Sequence, residues 1–222
     1  MPKTLLILLI VMTCAIGSSS ALASPVVDQY FYSPDERTSL WAVVGDIDTI
    51  SDVHQGQTFV VEMNGNLSKI EFPVWVSYLA TPQLSWTLVS TLSDGRPSNE
   101  VLASGITTIP ISTNDPISVD INLANPLAVT YGQRLAIELG ITQQPKGTPA
   151  KCEIGGASSY FWPYYEFGSL FSKSASGEWE INQGSDLFFI SYVDPVPEPS
   201  SILALLVGVG GMGGMVWRRK SA

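Results

Sequence analysis

From Gln57 onward, apolar side chains fall at every second position. Phe59, Val61 and Met63 alternate with Thr58, Val60 and Glu62, and Ile70, Phe72, Val74 and Val76 alternate with Lys69, Glu71, Pro73 and Trp75. The pattern returns at Leu84, Trp86, Leu88 and Leu92, at Val101–Ile106, at Ile117, Val119, Ile121 and Leu123, and at Leu135, Ile137, Leu139 and Ile141. A period of two sends successive side chains to opposite faces, so each run predicts a strand with one face in a core. Asn64-Gly65-Asn66 predicts a turn whose residues tolerate positive φ, and Ser93-Asp94-Gly95-Arg96-Pro97 predicts a second turn. Pro110, Pro116, Pro126 and Gly132 punctuate the rest. No sustained helical period interrupts the series. Upstream, Pro25–Tyr32 and Leu40–Val44 add two short apolar segments, whereas Gln143–Gly156 reads as an irregular excursion. Short, evenly spaced strands with polar turns predict an all-β fold, an antiparallel β-sandwich.

Both ends break this pattern. Met1–Ala23 has a basic start at Lys3, an apolar stretch at Leu5–Met12 and small residues at Ala21 and Ala23. It reads as a signal peptide that signal peptidase cuts after Ala23. A lipoprotein cut before Cys14 is disfavoured, because Val11-Met12-Thr13 lacks the leucine and small residue of that motif. At the other end, Val196-Pro197-Glu198-Pro199-Ser200 precedes the uncharged run Ile202–Trp217 and then Arg218, Arg219 and Lys220. As a helix the run spans roughly 24 Å at about 1.5 Å per residue. That is short for a hydrocarbon core of about 30 Å, but Trp217 at the headgroups and snorkelling cations extend it. The three cations place that end in the cytoplasm, and the two prolines stop the helix from continuing upstream. Gly210 and Gly214 have the spacing of a close helix–helix contact; the favoured reading is that glycine keeps a temporary span marginal. The division is therefore 1–23 signal peptide, 24–195 β-sandwich ectodomain and 196–222 sorting tail (motif 196–200, transmembrane helix 202–217, basic tail 218–220).

The tail's three ordered parts resemble the PEP-CTERM sorting signal of Gram-negative bacteria. The resemblance implies an exosortase as partner, export through the inner membrane, a transient membrane anchor and arrival at the cell surface or in the medium. It also implies a mature protein without a transmembrane helix, as with a GPI signal. An ordinary C-terminal anchor is the alternative. The middle of the chain resembles the jelly-roll modules of exported bacterial proteins. Gln57-Thr58-Phe59 with Gly65–Ile70 is similar to their opening and Pro126-Leu127 with Gly132–Leu135 to a middle strand pair. Gly177-Glu178-Trp179 with Ser185–Phe189 is similar to their last strand. Many such modules bind sugars, although fold alone does not decide function.

Composition narrows the partners. The 222 residues carry a formal net charge of -9, and without Lys3, Arg218, Arg219 and Lys220 the exported part is more acidic still. Phosphate-rich partners need the opposite sign, so no nucleic acid is expected, and neutral sugars or a cation-bridged contact suit the surface better than anionic polysaccharide held by charge. With Cys14 in the leader, only Cys152 remains in the ectodomain, so no internal disulfide is expected.

Candidate chemistry is sparse. Asp46, Asp48 and Asp52 lie close enough in sequence to chelate Ca²⁺, but without EF-hand spacing a solvated acidic loop is the favoured reading. No other cofactor is expected. His54, the chain's one histidine, reads as a surface or hydrogen-bonded residue, and Cys152 as a bystander. The run Tyr160–Phe167 reads first as core, with Trp162, Tyr164 and Tyr165 stacking on sugar rings as the second reading; Pro163 within it favours an edge or loop. No nucleophile elbow, zinc spacing or phosphate loop is present, and Glu166 with Glu178 is one carboxylate pair open to a glycan-acting hydrolase. The sequence thus predicts a noncatalytic exported protein that binds extracellular glycan, with a purely structural matrix component and a hydrolase as alternatives.

Overall fold

The computed structural model describes residues 24–31, 40–46, 54–77, 83–110, 116–143, 151–158, 165–173, 177–182 and 184–196. The predicted signal peptide with Ala21 and Ala23, the acidic residues Asp48 and Asp52, the aromatics Trp162 and Tyr164, and the tail from Pro197 onward lie outside them. Every regular element described is a strand: β1 (Val26–Phe31), β2 (Leu40–Asp46), β3 (His54–Val60), β4 (Gly65–Ser77), β5 (Gln83–Thr91), β6 (Pro97–Thr108), β7 (Ile117–Val129), β8 (Arg134–Gln143), β9 (Lys151–Ser158), β10 (Leu170–Lys173), β11 (Trp179–Asn182), β12 (Ser185–Leu187) and β13 (Phe189–Pro195). Among the described residues no helix is long and apolar enough to cross a membrane.

The alternating pattern is satisfied by two antiparallel sheets. Strands β2 to β9 take the order of a jelly roll, β2-β9-β4-β7 in one sheet and β3-β8-β5-β6 in the other. Consecutive strands switch sheets except at the β5–β6 hairpin. The remaining strands decorate this frame. β10 and β11 extend the second sheet beyond β3. β12 pairs with β9, and β13 lies between β1 and β4.

β4 is the strand on which the first sheet divides. Along one edge Gly65–Val74 pair with β7, with a register break between Leu67 and Lys69; along the other, Gly65–Glu71 meet β13 and Val74–Ser77 meet β9. Pro73 falls in the gap between those two partners. A residue with no N–H to give is tolerated where one ladder has ended and the next has not begun.

Between the sheets lies the core that the period predicts. Phe59, Leu135, Ile137 and Leu139 come from one sheet, and Leu67, Ile70, Phe72, Ile121 and Ile154 from the other, all buried. Across the layers the Phe59 and Phe189 rings stand 5.5 Å apart.

Four sequence readings need correction. Gly65 is not a positive-φ turn residue; it opens β4 so tightly against β13 that a Cβ would overlap the Asp194 carbonyl and a Val193 methyl. Positive φ occurs at Gly95 and Gly132. Pro126 does not end a strand, because β7 is an edge strand and runs through it. Leu92, placed with the core by its spacing, sits on the β5–β6 turn and is exposed. The excursion at 143–156 contains β9, a strand paired on both edges, whose Gly155 and Gly156 hid it from a search for alternating apolar residues.

Candidate functional site

The sorting junction follows the fold without a spacer. β13 is hydrogen-bonded to β1 on one edge and β4 on the other, and its last pair is Pro195 with Gly65. Val196, the first residue of the predicted sorting motif, is exposed immediately afterwards.

Tyr165 does not stand where a sugar could stack on it. Its ring is buried against Phe31, Phe167 and Phe189, with centroids 5.4–5.9 Å away. Its hydroxyl donates to Gln29 Oε1 at 2.8 Å and accepts from the Val60 N–H at 3.3 Å. Burial pushes the phenol up to about 12. This end of the aromatic run became core because its polar tip found two interior partners, which lets a tyrosine be buried.

Around Tyr165 runs an interior polar network. Gln57 Nε2 donates to Asp186 Oδ1 at 3.0 Å, and Gln57 Oε1 accepts from the Leu187 N–H at 2.8 Å, which links β3 to β12 across the sandwich. The Tyr165 N–H donates to Asp186 Oδ2 at 3.0 Å. Asp28 accepts from the Glu62 N–H at 2.9 Å and from the Ser191 hydroxyl at 3.2 Å. Burial raises both carboxyls, Asp186 to about 6. Both are enclosed, so these raised acids serve the fold and offer no proton to an outside substrate.

Two charged clusters occupy the outer sheet faces. On the six-stranded sheet, Glu138 Oε1 lies 2.9 Å from His54 Nδ1 and 3.1 Å from Lys173 Nζ. Burial raises this carboxyl, but hydrogen bonds from His54 and Lys173 outweigh it and hold Glu138 below its ordinary value. The Lys173 ammonium stands 5.1 Å from the Trp179 ring. Two glycines make room for the rings: a Cβ on Gly140 would press on the His54 imidazole, and one on Gly56 on the Trp179 indole. On the other sheet, Glu71 accepts from Ser118, Tyr192 and Lys69, whose ammonium also reaches Asp120 and covers the Tyr192 ring. Burial raises Glu71 as well, but these donors together lower it. Neither acid is poised to donate a proton.

Alternation places His54 on the outer face, as sequence reading expected of a hydrogen-bonded surface residue. Its partner Glu138 was missed, because residues 84 positions apart (138 less 54) meet only once the β3–β8 register is known. Cys152 is buried in β9, where burial pushes the thiol up to about 12. Glu166 and Glu178 are exposed. Asp46 is described only through its backbone, paired with Lys151. Among the described residues no group of three His, Cys, Asp or Glu is placed to hold a metal.

Comparison with known proteins agrees with the junction. Residues 195–220 match the PEP-CTERM protein-sorting motif. No curated protein matches the chain. Among solved structures, the chain is similar to that of the cysteine protease and lectin-like domains of Cwp84, a surface layer associated protein of Clostridium difficile. The TM-score is 0.47 at 11% identity, with 65% of this chain covered and 32% of that one. The chain thus spans about a third of that protein's length, and nothing of its activity is carried across. This chain carries a PEP-CTERM protein-sorting motif behind an antiparallel β-sandwich.

Proposed function

We propose that this is a noncatalytic exported protein, sorted by its tail to the cell surface or extracellular matrix, where its sandwich contacts neutral glycan. The observation that carries the reading is the sorting motif at residues 195–220, joined directly to a domain that ends at Pro195. The motif implies an exosortase as processing partner and a transient stay in the membrane. Signal peptidase would act on the leader after Ala23. Support for the glycan part moves from Tyr165, which is core, to the half-buried Trp179 beside Lys173, His54 and Glu138. An aromatic face bordered by hydrogen-bonding groups suits a sugar ring and its hydroxyls. Trp162 and Tyr164 remain candidates by sequence, as does Ca²⁺ at the acidic loop.

Two experiments test the two parts. Deleting residues 196–222 is expected to abolish membrane association in cell fractions, and unchanged fractionation would refute the sorting reading. On a glycan array the mature protein is expected to bind neutral glycans, with loss in Trp179→Ala or Trp162→Ala. No binding would leave a structural matrix component.

A further inference from the structure

The tail departs from one end of the sandwich. The β3–β4, β5–β6 and β7–β8 connections gather there. The Tyr131 N–H donates to Asn64 Oδ1 at 2.9 Å, and the Gly132 N–H to the Val61 carbonyl at 2.8 Å. The Thr91 hydroxyl donates to the Arg134 carbonyl, and Gly95 lies against the Arg134 guanidinium. Gly65 pairs with both Pro195 and Val129, and Val26 pairs with Val193, so the start of β1 and the exit of the tail share this end.

Apolar side chains project from it: Leu92 from one connection, Tyr131 (73% exposed) from another, Val26 from the start of β1 and Val196 (56%) just after β13. Met63, from the third, packs partly on the core. Both arginines among the described residues, Arg96 and Arg134, stand here as well, Arg96 paired with Asp94 at 2.7 Å. Asp94, Glu62 and Asp194 stand beside them, so the rim sets two arginines among three carboxylates in a chain of net charge -9.

What can cover this rim follows from where the chain goes next. Six residues, Val196–Ser201, separate β13 from the apolar run, and fully extended they reach about 20 Å. With that run in a bilayer, the rim is held beside the headgroup layer, where tethering makes weak contacts effective. Leucine, valine and tyrosine side chains suit that layer, and arginines suit its phosphates.

We propose that this end of the sandwich is a lipid-facing surface, with Leu92, Tyr131, Val26 and Val196 in the headgroup layer and Arg96 and Arg134 toward lipid phosphates while the tail is anchored. The proposal rests on the anchoring reading above.

The test uses the mature chain, residues 24–222 with the tail retained, with an environment-sensitive fluorophore on Ser93→Cys in the rim or on Thr108→Cys, at the far end of β6. The protein is reconstituted in phosphatidylethanolamine–phosphatidylglycerol vesicles that carry a headgroup nitroxide. Expected is a blue shift and loss of most emission at position 93 and little change at 108. Adding Leu92→Ser and Tyr131→Ser is expected to restore most of the emission while the protein still floats with the vesicles. Flotation without quenching at 93, or quenching that survives the serine substitutions, overturns the proposal and leaves anchoring intact. Quenching that requires a high protein-to-lipid ratio assigns the rim to a second copy and also overturns it. Failure to float removes anchoring and the proposal together.

Discussion

Tyr165 and Asp186 show how polar side chains settle inside this sandwich. Removing the Tyr165 hydroxyl in Tyr165→Phe leaves Gln29 Oε1 and the Val60 N–H without their partner. The expected loss is about 1–3 kcal/mol, read by urea unfolding. Glycan affinity is expected to stay unchanged, since the ring is core. Asp186 carries a pH signature. Its carboxyl titrates near 6 in the fold against 3.8 unfolded, so between those values the folded chain holds the extra proton. Stability therefore falls as pH rises through that window, by about 3 kcal/mol in all. Asp28 acts in the same direction. Glu71 and Glu138, lowered in the fold, act oppositely: their stabilisation is present above 4.5 and is lost as pH falls below it. Unfolding free energy measured against pH is expected to peak where the two windows overlap, between 3.8 and 4.5, and Asp186→Asn is expected to flatten the upper slope whatever its absolute stability.

At the scale of strands, the sequence was legible wherever apolar residues alternate with other residue types, as in β3, β4, β5, β7 and β8. It was illegible where glycines replace side chains, as in β9, and where a strand changes partner, as β4 does at Pro73. The charged clusters were hidden for a related reason. His54 and Glu138, or Lys69 and Asp120, join different strands, and only the register brings them together. The tight contact of Gly65 with β13 carries a prediction of its own. Gly65→Ala is expected to lose about 1–3 kcal/mol through overpacking. Faster amide exchange is expected in Ser191–Asp194 than in β8. Exchange unchanged in β13 would show that the junction is not clamped there. In the interior, Phe59→Ala is expected to cost about 3–5 kcal/mol, measured by the same unfolding curves, because its ring is buried between the layers.

For the whole molecule, the tail was the most readable part. Proline–glutamate–proline, an uncharged run and terminal cations each have a physical role at a membrane, and their order suffices to identify them. Whether the domain offers a binding face was less readable, because stacking aromatics and core aromatics are the same residues until burial separates them, as it did for Tyr165. The account stands on the tail's being a temporary anchor. The most direct measurement is the intact mass and C-terminal peptide of the protein recovered from membranes and from medium, in a host that carries a matching exosortase. The membrane-bound form is expected to retain Ile202–Trp217, and the released form to end near the Pro197–Pro199 motif. A released protein that still carries Ile202–Trp217 would contradict the account.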